Sequence, residues 1–279
     1  MKRVALLTDV SGLGNCSGCA NVAVLSSLGL EPCLLPTAVL SAQTGFSEHT
    51  FFTLEDEFCE SCRSLVALSP TVSAVYLGFF ASSRQLEAAA TLAEHFGKSG
   101  AAVVLDPIIG DGGKRFPFIS DEHFETLCNL ARRSDVITPN ITEFCLISGA
   151  DYAALSSLGE SERIDKLCTL CREYVGESDL TVVITGVGCG SKIAVIAADR
   201  SRTTVHYANR HGGSYSGTGD IFTSMLCAAA ANKSDLHIAA EKAAQTISEI
   251  LRESSDSISD RNFGIPFQRY LSKIAAKNL

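Results

Sequence analysis

No apolar run in the sequence approaches the roughly 18 residues that a membrane-spanning helix needs. The basic start, Lys2-Arg3, leads into a short apolar stretch, Val4–Leu7, which meets Asp9 too soon to form a signal peptide. These two absences point to a cytoplasmic protein. Positive charge is scarce as well. Lysine and arginine number 23 against 31 aspartates and glutamates, a formal net charge of −8, and no basic cluster stands out. That excludes a nucleic-acid-binding surface. An anionic substrate would therefore need local positive potential from helix N-termini, a few cations or a metal. Linkers, repeats and low-complexity stretches are missing too, and 46% apolar with 19% charged residues excludes disorder. A chain of 279 residues lies near the upper edge of what one hydrophobic core supports, so a single α/β domain over residues 1–279 is expected.

Two nucleotide-binding fingerprints are also absent. No G-x-x-x-x-G-K-S/T segment occurs, and Gly12-Leu13-Gly14 lacks the third glycine of a dinucleotide turn, with Ser17 at that place. The six histidines are scattered without ligand spacing.

Cysteine, by contrast, is plentiful. There are eleven, an odd number that argues against a disulfide framework in a reducing compartment. Cys16/Cys19, Cys59/Cys62 and Cys168/Cys171 have C-x-x-C spacing, which two pairs could turn into a zinc site. Helical spacing argues otherwise. Ile164, Leu167, Cys168, Cys171 and Val175 share one face, as do Phe124, Leu127, Cys128 and Ala131, so most of these cysteines read as small core hydrophobes. Cys16/Cys19 sits in a glycine-rich loop and is not explained in this way.

Short apolar runs alternate with amphipathic stretches along almost the whole chain. Strands are expected at Val4–Thr8, Pro32–Pro36, Ala74–Phe79, Ala101–Leu105 and Val136–Thr138. Helices are expected at 21–28, 54–68, 84–96, 122–132, 141–147, 163–175, from 217 onward, 236–252 and 267–277. Thr181–Thr185, Ile193–Ala197 and Thr203–Tyr207 lack helical signal between them and suggest antiparallel strands at a sheet edge. The hydrophilic stretch 253–262 reads as a surface loop. This alternation implies a mostly parallel sheet with helices on both faces, where ligands bind beyond the carboxyl ends of the strands.

Four segments there carry chemistry. Ser216-Gly217-Thr218-Gly219-Asp220 opens an amphipathic helix, so its free N–H groups and positive dipole end can hold an anion, with Asp220 in reach. Asp106-Pro107-Ile108-Ile109-Gly110-Asp111 places two carboxylates around a strand-end turn, which suits magnesium or is simply a solvated turn. Thr138-Pro139-Asn140-Ile141-Thr142-Glu143 puts Glu143 in a helix's first turn, where an acid can also serve only to pair with the dipole. Thr185-Gly186-Val187-Gly188 is a candidate nucleotide-phosphate loop or a plain turn.

In that order and at those distances, the four segments resemble the ribokinase-like (PfkB) small-molecule kinases. Within them, Thr8-Asp9-Val10-Ser11-Gly12 and Pro36-Thr37-Ala38-Val39-Leu40-Ser41-Ala42-Gln43-Thr44-Gly45 are most similar to the pyridoxal/pyridoxamine kinases. The resemblance runs from about Arg3 to about Leu251. It implies a ribokinase-like fold with a small or absent lid, and ATP-dependent phosphorylation of the 5′-hydroxymethyl group of a B6 vitamer in pyridoxal phosphate salvage. It further implies Asp220 as general base and Gly217, Thr218 and Gly219 as the anion hole. Asp106 and Asp111, with Glu143 in an outer shell, would organise Mg²⁺, with a monovalent cation as a further candidate. Asp106, Asn140, Thr185 and Gly186 would serve ATP, while Asp9, Ser11, Gln43 and Thr44 would face the pyridine ring. Similar kinases are commonly homodimers. Two positions depart from the B6 branch, which often has histidine where Gln43 stands and serine where Asp9 stands. Asp9 is what the related hydroxymethylpyrimidine kinases carry, but those usually end the glycine motif in cysteine, not in an aspartate like Asp220. A non-catalytic ligand-binding protein on the same fold is the remaining alternative.

Overall fold

Val4, Ala5, Leu6 and Leu7 are fully buried on both faces, as expected of a central parallel strand covered by helices on either side. They belong to β1 (Arg3–Leu13), the seventh strand of a nine-stranded sheet. The computed structural model describes residues 1–277 and 279. After β1 come α1 (Ser17–Ser27), β2 (Glu31–Ala42), β3 (Phe51–Thr53), α2 (Glu55–Leu68), β4 (Ala74–Leu77), α3 (Ser83–Lys98) and β5 (Ala102–Leu105). A two-strand hairpin, β6 (Gly110–Asp111) and β7 (Lys114–Arg115), precedes α4 (Asp121–Arg133), β8 (Val136–Ile137), α5 (Ile141–Ser148), α6 (Tyr152–Ser157) and α7 (Glu160–Val175). The chain continues through β9 (Thr181–Cys189), β10 (Lys192–Ala198), β11 (Thr203–Asn209), α8 (Thr218–Asn232), α9 (Leu236–Ser254) and α10 (Leu271–Ala275).

The sheet order is β11-β10-β9-β8-β5-β4-β1-β2-β3. The six strands from β9 to β2 are parallel, while β10, β11 and β3 are antiparallel additions at the two edges. Strand alternation sends Ala5, Leu7, Val75 and Leu77 into a core with α2, α3, α4, α5 and α7. Val4, Leu6, Ala74 and Tyr76 point into a second core with α1, α8, α9 and α10. In that second layer α1 and α8 are pinned together, since Asn21 Nδ2 donates to the Asp220 carbonyl (3.2 Å) and to Ser224 Oγ (2.9 Å). This is the mostly parallel sheet with helices on both faces that the sequence leads one to expect.

Several boundaries differ from the sequence reading. β1 and β2 extend beyond Thr8 and Pro36 because they keep pairing past a register shift, through Val10 with Val39 and Leu13 with Ala42. α1 starts at Ser17, four residues before the expected Asn21. The last helix is shorter: Phe267–Tyr270 is a 3-10 turn and only Leu271–Ala275 is α-helical. β3, the β6–β7 hairpin and α6 are additional. All eleven cysteines are free thiols, and Cys62 and Cys171 are buried core residues. Among the described residues no helix is long and apolar enough to cross a membrane.

Candidate active site

The segments after β5 and β8 meet beside the middle of β9, which runs on to Cys189 and does not end at Thr185 as the sequence suggests. Asp106 directly follows β5 and is 8% exposed. Three residues past the last β8–β9 pair, an isolated parallel bridge joins Asn140 and Thr185, with Thr185 N–H donating to the Pro139 carbonyl (2.9 Å). Beyond it, Thr185 and Gly186 together face only Val195, a bulge that turns β9 at this point, and Gly186 takes φ +72°.

Asn140 is the N-cap of α5. Its Oδ1 accepts from Glu143 N–H (2.9 Å), and Glu143 Oε2 accepts from Asn140 N–H (2.8 Å), a complete capping box. Asn140 Nδ2 donates to the Gly110 carbonyl (3.0 Å), tying the hairpin to the helix. Glu143 also accepts from Ile109 N–H (3.3 Å). Its carboxyl is nevertheless pushed well above the ordinary value, first by burial and then by the charge of Asp106.

The glycine turn enters from α8. Gly217 is the N-cap, at φ +79°, and a Cβ there would collide with the carbonyl of Asn15. Only glycine fits a position with both constraints. Thr218 Oγ1 donates to the Tyr215 carbonyl (3.0 Å). Asp220 keeps part of its surface open, yet its surroundings push its carboxyl up to about 6, chiefly by burial and also through the charge of Asp9, against a backbone hydrogen bond from Ser17. Asp106 rises to about 7 from burial and the charge of Asp220, opposed by a hydrogen bond from Thr223 Oγ1 (3.3 Å). Thr223 lies on α8 three residues after Asp220 and also meets Thr138 Oγ1 (2.8 Å).

A cavity of about 570 Å³ gathers Asp106, Asp111, Asn140, Glu143, Thr185, Gly186, Thr218, Gly219 and Asp220. Asp9, Ser11, Gln43, Thr44 and Gly217 do not line this cavity. Asp9 is buried, accepts from Ser11 Oγ (3.0 Å), and has its carboxyl raised by burial. Cys16 sits between the two halves, its thiol pushed up to about 12 by burial, with Asp220 and Asp9 adding to it. Cys19, in the first turn of α1, donates to the Ser11 carbonyl (3.5 Å). Gln43 has both ends of its amide committed to the chain: Oε1 accepts from Gly45 N–H (2.7 Å) and Nε2 donates to the Asn262 carbonyl (3.1 Å). Thr44 is exposed.

Sequence reasoning missed the far wall of the cavity. Arg210 and His211, on the loop between β11 and the glycine turn, line it, and Arg210 brings a permanent positive charge. Ile193, Val195, Ala244 and Ile247 add an apolar slot. A signal existed for Thr223, one helical turn after Asp220, and for Arg210-His211 as an adjacent basic pair shortly before the glycines.

The oxygen donors here are of the kind a hard divalent cation takes. Asp106, Asp111 and Glu143 offer carboxylate oxygens, and burial, which raises the carboxyls of Asp106 and Glu143, disfavours their charged forms, which a cation would favour. Among the described residues no three His, Cys, Asp or Glu side chains form a metal cluster. Water and ligand oxygens would thus have to complete the shell, as they usually do for Mg²⁺.

A family model described as phosphomethylpyrimidine kinase matches residues 17–262. No curated protein matches the sequence. Among solved structures, the chain is similar to a candidate phosphomethylpyrimidine kinase from Bacteroides thetaiotaomicron, at 28% identity and a TM-score of 0.90, covering 98% of this chain and 93% of that one. A second crystal form with that description, from the same organism, contains pyridoxal; it is 29% identical with a TM-score of 0.88, covering 98% and 95%. Pyridoxal kinase from Lactobacillus plantarum shares the fold at 21% identity and a TM-score of 0.84, covering 100% and 98%. Pyridoxal kinase from Leishmania donovani, solved with ADP and ginkgotoxin, does so at 21% and 0.80, covering 98% and 96%.

Proposed function

The chain belongs to the phosphomethylpyrimidine kinase family, and from that premise we propose that it phosphorylates the hydroxymethyl group of a B6 vitamer with ATP. The observation that carries the reading is Asp220 at the mouth of the Gly217–Gly219 turn, between the large cavity and Asp9. ATP occupies the cavity, its base in the apolar slot and its phosphates toward the glycine turn, Asn140, Thr185 and Gly186. Arg210 and His211 face the phosphates from the opposite wall. Asp106 and Asp111, with Glu143 behind them, would hold Mg²⁺, which supplies charge neutralisation when bound.

The vitamer lies on the β1 side, its ring beside Asp9 and Ser11 and near the segment carrying Gln43 and Thr44. Asp220 takes the proton of the hydroxymethyl group as its oxygen forms a bond to the γ-phosphorus. The bond from that phosphorus to the β–γ bridging oxygen breaks, and ADP leaves. The amides at the start of α8 face the phosphoryl oxygens, where negative charge is carried in the transition state.

A second reading, a hydroxymethylpyrimidine alcohol as acceptor, is favoured by Asp9, which can accept from an amino group on a pyrimidine ring. An ADP-release assay with pyridoxal, pyridoxamine, pyridoxine and hydroxymethylpyrimidine separates the two. Asp220→Asn tests the base. It keeps the shape and removes the basicity, so kcat should fall roughly 10²–10⁴-fold while ATP affinity changes little. A variant that retains more than about a tenth of wild-type turnover, well short of that loss, would remove Asp220 from the role.

A further inference from the structure

The hydrophilic stretch after α9 is not an idle surface loop. Its 3-10 turn Arg261–Phe263 touches three segments far away in sequence. Asn262 Nδ2 donates to the Gly45 carbonyl (3.0 Å), and the Asn262 carbonyl accepts from Gln43 Nε2 (3.1 Å). The Phe263 ring packs edge-on against Phe46, with centroids 5.2 Å apart. The Phe263 carbonyl accepts from Asn15 N–H (3.0 Å), and the Arg261 carbonyl from Ser216 N–H (3.2 Å). One turn thus clasps the segment after β2, the loop before α1 and the residue before the glycine turn.

The fit is close. A Cβ on Gly45 would overlap Asn262 Oδ1, and one on Gly264 would lie 2.8 Å from the Ser216 carbonyl. The clasp is also anchored: Ile265 and Phe267, immediately after it, are buried in the α1/α8 core. Asp260 Oδ1 accepts from Asn262 N–H (2.9 Å) and sets the turn.

We propose that Asn262 is a positioning residue for the acceptor alcohol, fixing the Gln43–Phe46 segment at a set distance from the Gly217 turn. This rests on the reading that the alcohol lies between Asp9 and that segment. Gln43 then acts through the clasp, because both ends of its amide are already bonded to the chain. The Asn262 side chain bonds to Gly45 and to none of the walls that hold the nucleotide in that reading, so its loss affects chiefly the acceptor.

The test pairs steady-state kinetics with hydrogen–deuterium exchange on the full-length protein and its Asn262→Ala variant. Losing the side-chain bond to Gly45 should raise KM for pyridoxal about tenfold, the effect of one hydrogen bond. KM for ATP and kcat at saturating pyridoxal should stay within about twofold, since a loosened clasp weakens acceptor binding and leaves the transferring groups in place. Amides of Gly45 and Phe46, both bonded back to Gln43, should exchange faster. An equal rise in both KM values, or unchanged exchange at 45 and 46, overturns the proposal. A wild type that does not turn over pyridoxal refutes the vitamer reading instead, and exchange alone then decides for or against the clasp. Should Asn262→Ala fail to fold, Phe263→Leu weakens only the ring contact; a smaller rise in the same KM supports the clasp, and unaltered KM and exchange overturn it.

Discussion

Four carboxylates, Asp106, Asp111, Glu143 and Asp220, line the large cavity, against one permanently charged cation, Arg210. Among the described residues the Arg210 side chain has no hydrogen-bond or ion-pair partner. A nucleoside triphosphate adds still more negative charge, so a positive side chain on the far wall has a disproportionate effect on its affinity. Arg210→Gln should raise KM for ATP about tenfold, the usual effect of one charge-assisted contact. KM for the alcohol should stay unchanged. Arg210→Lys should recover part of the loss, since it restores charge but not the planar fork. The check is KM for ATP across ionic strength. The glutamine variant should lose much of the salt dependence, and equal salt dependence in both proteins would exclude the arginine from the phosphates.

At the scale of elements, α5 does more than cover the sheet. Its capping box holds Glu143 against Ile109 and Asn140 against Gly110, so one helix start fixes both the hairpin and a buried carboxylate. Asn140→Ala removes the cap acceptor, and such losses cost about 1 kcal/mol. The midpoint of urea unfolding should fall accordingly with an unchanged slope. Motifs of this kind were legible in the sequence. Asp106, Asn140-x-x-Glu143 and Gly217–Asp220 each occupy the end of a strand or the start of a helix, where a local pattern reports local structure, and Thr185-Gly186 marks a bulge within β9. The sheet was legible for the same reason, through strand–helix alternation. What escaped depends on distant partners. β1 and β2 extend because each supplies the other's ladder, and β3 is three residues long, too short for any period to register. The clasp at Asn262 joins residues 219 apart from Gln43. Arg210 gains its meaning only when β11 and α8 are folded beside the acidic strand ends.

For the molecule as a whole, the raised carboxyls set a pH dependence. Asp106 and Asp220 have ordinary values of 3.8 and stand at about 7 and about 6. A carboxyl raised in the folded state contributes stability that is fully present below its unfolded value and lost as pH rises through its folded value. The protein without metal should therefore melt at lower temperature at pH 8 than at pH 5 on account of these groups. Surface pairs do not offset this, because Glu94, held down to about 2 by Lys98 and Arg133, acts only below its ordinary value of 4.5. Magnesium should raise the melting temperature little at pH 5 and progressively more toward pH 8. Melting curves with and without Mg²⁺ across that range check the pattern, and a pH-independent gain would place the cation away from these carboxylates.

The pairing of α1 with α8 bears on how the enzyme comes into being. Asn21 reaches across to the Asp220 carbonyl and Ser224, partners about 200 residues later in the chain. Closing so long a loop is entropically unfavourable until many other contacts exist to hold its ends together. During refolding, helical signal from local segments should recover early, while the glycine turn waits for the first and last thirds of the polypeptide to meet. Phosphotransfer is then among the last properties the folding chain acquires, and a partly folded molecule with most of its secondary structure is still catalytically silent.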